Sequence, residues 1–241
     1  MNKTILKNKY KKYKMPKNML FAIIDTTILS KDLSNTELGF YILLKAKAGR
    51  RVIDGNQLRL STTVGKLTTQ INWRLGTQPI TKMIKKLQQL KLIEIERIHG
   101  KTMDIVFLDD EQSLLKNGYF KVYGHSIKAI MDSSNGKQTL NYLGFYAYFR
   151  STIFEQTKTS SVYDKPLAYL VNACKTPEST VRLYLQWFRE NEILANFFVR
   201  VMRTETNWYN KYIYADMHDC QKLVKYIDDG QYGSVITEVL E

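Results

Sequence analysis

The chain has 241 residues with 36 Lys and Arg against 23 Asp and Glu, a formal net charge of +13. That length suits two domains of ordinary size, and that charge points to a polyanionic partner. Two cysteines exclude a disulfide framework, four prolines exclude a long disordered linker, and no apolar run approaches the roughly 18 residues of a membrane span or forms a secretory leader.

A folded cytoplasmic protein with no membrane partner is therefore expected. The positive charge is uneven: seven lysines and no acid over residues 1–18, a net +5 over 19–110, +4 over 111–222 and −3 over 223–241. Residues 1–18 interleave lysine with Tyr10 and Tyr13. Such a segment predicts a mobile arm, its Lys9, Lys11, Lys12 and Lys14 able to track phosphates and its tyrosines free to stack on bases. The plain alternative is a solubilising tail.

A first domain is expected over 19–110. Ser34 followed by Glu37 has the spacing of a capping box and starts a helix running to about Ala48, with Leu38-Gly39-Phe40-Tyr41 inside it. Gly49 to Asn56 reads as a loop, and Ser61-Thr62 starts a short helix ending near Leu67. A third helix is expected over Gln78 to about Leu92. Its spacing puts Ile80, Met83, Ile84, Leu87 and Leu90 on one side and Gln78, Lys82, Lys85, Lys86 and Gln89 on the other. Two alternating runs, 92–98 and 102–107, flank the loop His99-Gly100-Lys101 and read as a β-hairpin.

The same order returns over 111–222, the second expected domain. A lead-in strand at 119–123 precedes a helix over 137–153 that carries the second Leu-Gly-Phe-Tyr, at Leu143 to Tyr146. Asp164-Lys165-Pro166 opens a short helix ending near Cys174, expected buried. Thr176-Pro177-Glu178 then supplies an N-cap, a proline at N1 and an early acid. The following helix has Val181, Tyr184, Leu185, Trp187 and Phe188 on its apolar face and Ser179, Arg182, Gln186 and Arg189 opposite. Matching the apolar stripes sets Lys85 against Arg182 and Gln89 against Gln186. A longer hairpin over 193–203 and 211–217 follows, with Trp208 and Tyr209 near its tip. Residues 223–241 are expected to form a short acidic helix and tail, preceded by Cys220 at an exposed helix start.

Helix, helix, polar-faced helix and hairpin is the order of a winged helix. Leu33-Ser34-x-x-x-Leu38-Gly39-Phe40-Tyr41-x-Leu43-Leu44 and Leu87-x-x-Leu90-x-Leu92-Ile93 resemble the winged-helix domains of phage and plasmid replication proteins. Leu143 to Tyr146, Thr180-Val181-Arg182 and Leu185 resemble them in the second half, and the tandem is similar to small two-winged-helix proteins of conjugative plasmids. The fold expected is α+β, predominantly helical: two winged helix-turn-helix domains in tandem. The shared aromatic positions predict that the copies pack about a pseudo-two-fold axis.

His99, His125 and His218 stand alone, without metal-ligand spacing, and no phosphate-binding loop or nucleophile elbow occurs. Asp109-Asp110 and Asp228-Asp229 read as solvated loop charge. No catalysis, cofactor or metal is expected. Lysines mixed with amides on a third helix suit DNA, because amides read adenine edges and lysines contact guanine or phosphate. The expected contacts are Gln78, Thr81, Lys82, Lys85, Lys86 and Gln89, with His99 and Lys101 at the first wing. In the second copy they are Ser179, Arg182, Gln186, Arg189, Arg203, Trp208 and Lys211, weakened by Glu178, Glu190 and Glu192. The function expected is sequence-specific binding of double-stranded DNA in plasmid or phage replication, transfer or transcriptional control. A second copy of the chain, or a replication or transfer protein, is the further partner considered. The alternative is a protein-docking module with non-specific DNA affinity.

Overall fold

The computed structural model describes residues 8–14, 20–51, 57–74, 76–109, 111–153, 161–204, 207–229 and 235–241. They form a mixed α and β structure in two compact units, one spanning Leu20–Ser151 and the other Thr152–Glu241 with the N-terminal segment.

The first unit opens with β1 (Phe21–Asp25) and a 3-10 turn, Thr26–Ser30, followed by α1 (Asn35–Lys47). The expected capping box is formed: the Ser34 backbone N–H donates to Glu37 Oε2 at 2.8 Å, and the Glu37 N–H donates to Ser34 Oγ at 3.3 Å. Then come β2 (Gly49–Arg51), β3 (Gln57–Thr63), α2 (Val64–Gln70) and α3 (Gln78–Gln89). Ser61 and Thr62, expected to start a helix, lie instead in β3. They alternate faces along a strand paired to β5, and Thr63 caps α2 by accepting from the Lys66 N–H at 3.0 Å. β4 (Ile93–His99) and β5 (Thr102–Phe107) form the expected hairpin about Gly100, whose φ is +59°. The sheet order is β2-β3-β5-β4.

α4 (Glu111–Asn117), β6 (Tyr119–Tyr123), α5 (Gly124–Ser133) and α6 (Gly136–Ser151) complete this unit. The lead-in strand β6 pairs antiparallel with β1 from Phe21↔Tyr123 to Asp25↔Tyr119. α1 and α6 pack on each other through the repeated glycines. A Cβ on Gly39 would sit 1.8 Å from the Leu140 carbonyl oxygen, and one on Gly144 would sit 2.1 Å from that of Asn35. Residues 39 and 144, 35 and 140, and the hydrogen-bonded pair Thr36–Asn141 (2.6 Å) all share one sequence separation of 105. The contact is therefore reciprocal, and a local two-fold axis relates β1 and α1 to β6 and α6. Leu38, Phe40, Leu43, Leu140, Leu143 and Phe145 are almost fully buried around it.

This packing explains why the expected boundary between 110 and 111 falls inside a compact unit. The first helix of the second repeat is held by its counterpart in the first.

The second unit contains β7 (Val162–Tyr163), α7 (Leu167–Cys174), α8 (Glu178–Glu190), β8 (Leu194–Thr204) and β9 (Asn207–Asp216). After a 3-10 turn, Met217–Asp219, come α9 (Cys220–Asp229) and β10 (Val235–Val239). Its sheet order, β10-β8-β9-β7, repeats the β4-β5-β3 arrangement, with β10 added at the β8 edge. The helix expected after 223 is formed, and residues 235–239, expected as tail, are a strand. α9 buries Leu223 and Ile227 under the sheet, and β10 pairs with β8. Cys220, expected exposed, is buried in the same core, and burial pushes its thiol pKa up; the same holds for Cys174. Thr176 does not cap α8: Pro177 occupies the N-cap position without a side-chain bond, and the Thr176 hydroxyl donates to the Cys174 carbonyl.

The described part of the N-terminal arm is docked rather than mobile. Tyr10 is buried edge-on against Phe197. Its hydroxyl donates to the Asn196 carbonyl at 3.0 Å and accepts from the Asn196 N–H at 2.7 Å, while Gln221 Nε2 donates to the Tyr10 carbonyl. Satisfying one residue of β8 beyond the end of β10 outweighs the solvation of a lysine-rich sequence. Asp109 is no loop charge either: it ion-pairs with the buried Lys45 amine, itself 3.5 Å from the Tyr41 hydroxyl. Asp110 lies outside the described residues, whereas Asp228 and Asp229 are exposed as expected.

Candidate nucleic-acid interface

α3 is the most strongly two-sided helix of the first unit. Ile80, Met83, Ile84 and Leu87 are buried, and Gln78, Lys82, Lys85 and Gln89 are exposed. Their spacings of four, three and four residues align the exposed set along one face. No described acidic residue pairs with Lys82 or Lys85. Lys86 differs: its amine donates to Asp32 Oδ2 at 2.8 Å, which holds the Asp32 carboxyl below its ordinary range and raises the lysine. The Thr81 hydroxyl is turned back onto the Thr77 carbonyl at 3.1 Å, so it spends its hydrogen bond inside the helix. Exposed Lys66 on α2 and Lys91 just past α3 extend this cationic surface. Sequence periodicity misses both because they lie outside the α3 repeat.

At the hairpin, Lys101 is exposed beside Gly100; the His99 and Arg203 side chains lie outside the described ones. The base of this wing is internally paired: Arg59 pairs with Glu96, and the Ser61 hydroxyl donates to Asp104.

α8 has the same build but a different outer face. Both helices end in the same turn: Lys91 (φ +54°) and Glu192 (φ +54°) are left-handed. Leu92 N–H then donates to Leu87 O at 3.0 Å, and Ile193 N–H to Phe188 O at 2.9 Å. This fixes the correspondence at 101 residues (192 less 91), correcting the expected match of Lys85 with Arg182 and Gln89 with Gln186. In the structural register Lys82, Lys85 and Gln89 correspond to Leu183, Gln186 and Glu190. Apolar stripes alone permit a shift of one helical turn, because residues four apart share a face.

The α8 side chains are also engaged. Arg182 Nε donates to Glu178 Oε1 at 2.9 Å, and Gln186 Nε2 to Glu190 Oε1 at 2.8 Å. Arg189 is not offset by a carboxylate, contrary to expectation. Its guanidinium lies 4.4 Å from the Tyr212 ring centroid and donates to the Tyr214 hydroxyl at 3.0 Å. Ser179 is exposed, Trp208 is exposed at the hairpin tip, and Lys211 pairs with Asp164 below the Tyr209 ring. Lys9 is exposed with its amine 5.2 Å from the Phe197 ring centroid, and desolvation lowers its pKa; Lys11, Lys12 and Lys14 are exposed as well.

Among the described residues no group of three His, Cys, Asp or Glu is placed to hold a metal ion, and no helix is long and apolar enough to cross a membrane. No model of a known protein family matches the chain, and no characterised protein matches its sequence.

Proposed function

We propose that the chain is a non-catalytic, sequence-specific double-stranded-DNA-binding protein of a plasmid or phage, built from two winged-helix repeats. It would act in replication initiation, conjugative transfer or transcriptional control. The observation that carries this reading is the outer face of α3, where Lys82 and Lys85 have no acidic partner among the described residues and stand between Gln78 and Gln89.

Support for the winged-helix reading comes from the order α1, β3, α2, α3, β4, β5, the sheet order β3-β5-β4, and their recurrence from α6 to β9. A helix about 10–12 Å across fits a major groove about 12 Å wide, where glutamine meets adenine bidentately and lysine meets guanine or phosphate. The hairpin turn at Gly100-Lys101 then lies against the backbone. Footprinting on plasmid or phage fragments is the test. Protection of a discrete site, with affinity falling steeply as salt rises, is the expected result. Uniform weak protection would remove sequence specificity from the proposal.

A further inference from the structure

We infer that the second unit carries its own site for single-stranded DNA on the solvent side of β8 and β9. This rests on reading the chain as a DNA-binding protein and names the form of DNA this unit takes.

Alternation along β9 puts Trp208, Asn210 and Tyr212 on one side of the sheet, while Ile213 and Ala215 enter the core on the other. Phe198 of β8 stands directly across from Tyr212, their ring centroids 4.7 Å apart. Trp208 is 52 % exposed, where a tryptophan is on average highly buried. At about 3.4 Å per residue the Trp208 and Tyr212 rings are spaced by roughly 14 Å. That leaves room for unpaired bases to stack with the Asn210 amide between them.

The charges on this side suit a phosphate chain. Arg189 lies over Tyr212 with no carboxylate partner among the described residues, and Arg200 is balanced by Glu238 at 3.0 Å. Exposed Trp208 and Asn210, backed by the partly buried cluster of Tyr212, Phe198, Tyr214 and the Arg189 guanidinium, form a platform that accepts any base by its π face. A duplex, its bases stacked inside, presents no such faces. The α8 helix does not compete for one, since its outer residues are Leu183 and the tied pairs Glu178–Arg182 and Gln186–Glu190. DNA rather than RNA follows from α3, because the deep, narrow major groove of A-form RNA excludes side chains.

The test is fluorescence anisotropy with labelled oligothymidylate of about 16 nucleotides, the upper site size for one folded module, beside a duplex of the footprinted site and oligouridylate. The native chain should bind oligothymidylate. Trp208→Ala and Tyr212→Ala should each weaken it about tenfold, within the range for loss of one stacked base. Trp208→Phe and Tyr212→Phe, which keep a ring, should stay near native affinity, and all four variants should leave duplex binding unchanged. Duplex binding without oligothymidylate binding overturns this inference and spares the α3 reading. Loss of duplex binding in Lys82→Ala/Lys85→Ala with oligothymidylate retained supports both. Tighter binding of oligouridylate, equal loss of duplex and single strand in Trp208→Ala, or a DNA-free dimer that Trp208→Ala dissociates, each overturns it.

Discussion

Among the described residues Lys86 is the one α3 lysine with a carboxylate beside it, and under the proposed function that contact limits its availability to DNA. The Asp32–Lys86 pair is solvent-exposed, so it stabilises the fold little. It does compete with phosphate for the same amine. Asp32→Ala is expected to raise duplex affinity a few-fold at low salt and to steepen the salt dependence by about one released counterion; anisotropy titrations at several salt concentrations read both. Tyr10 offers a separate test. Burial raises its hydroxyl to about 12 from the ordinary 10. A raised folded pKa means that the contribution is fully present below pH 10 and is lost as pH rises through about 12. Tyr10→Phe strands the Asn196 N–H and carbonyl, at a cost of about 1–3 kcal/mol, and should expose Lys11, Lys12 and Lys14 to trypsin. A variant as resistant as the native chain would contradict docking of the segment. Tyr10 and Cys220 were illegible in the sequence because each is buried by partners far away in the chain while the local pattern around it is polar, and Asp109 was illegible because its partner Lys45 lies 64 residues away.

The longer helices and the two hairpins were legible, because an apolar stripe of period 3.6 or an alternating run announces both the element and its buried face, whereas α4 and α5 were not expected. α3 and α8 follow their stripes, and the two Leu-Gly-Phe-Tyr helices, buried all round, follow their continuous apolar runs. The strands β3 and β10 were not legible as such. Ser61 and Thr62 suit a cap as well as a strand, and β10 is short and separated from its partner by a whole helix. The glycines at the α1–α6 crossing give this scale its sharpest prediction. Alanine normally favours a helix over glycine by about 1 kcal/mol. At Gly39 or Gly144 the added methyl meets a backbone carbonyl that cannot yield without separating the helices. Gly39→Ala and Gly144→Ala should each lower stability by roughly 3 kcal/mol or more. Gly65→Ala, where the nearest atom is 3.8 Å away, should be neutral or stabilising. Urea midpoints decide, and a stabilised Gly39→Ala would rule out the close crossing.

Across the whole molecule, the element order from α1 through β3, α2, α3, β4 and β5 recurs from α6 to β9, and the outer faces of α3 and α8 differ. Along α3 stand Lys82, Lys85 and Gln89, the lysines without an acidic partner among the described residues; along α8 the corresponding positions are Leu183, Gln186 and Glu190, and the hairpin after it is longer. Conserved packing with altered surface is what a division of labour between repeats requires, since packing preserves fold while exposed side chains choose ligands. The pairing of α1 with α6 was foreshadowed by the repeated tetrapeptide, whose glycines meet the opposite backbone. The compact units were not, because the glycine crossing joins elements 105 residues apart. The central claim is that the outer face of α3 reads base sequence. Its most direct test is selection from a random duplex library by the native chain and by Lys85→Ala/Gln89→Ala, at matched salt and with matched unfolding midpoints. The native chain should enrich a defined site, and the double variant should lose discrimination by about tenfold or more, as expected for contacts worth about 1–3 kcal/mol each, while keeping much of its non-specific affinity. The same site enriched to the same degree by both proteins would contradict the claim.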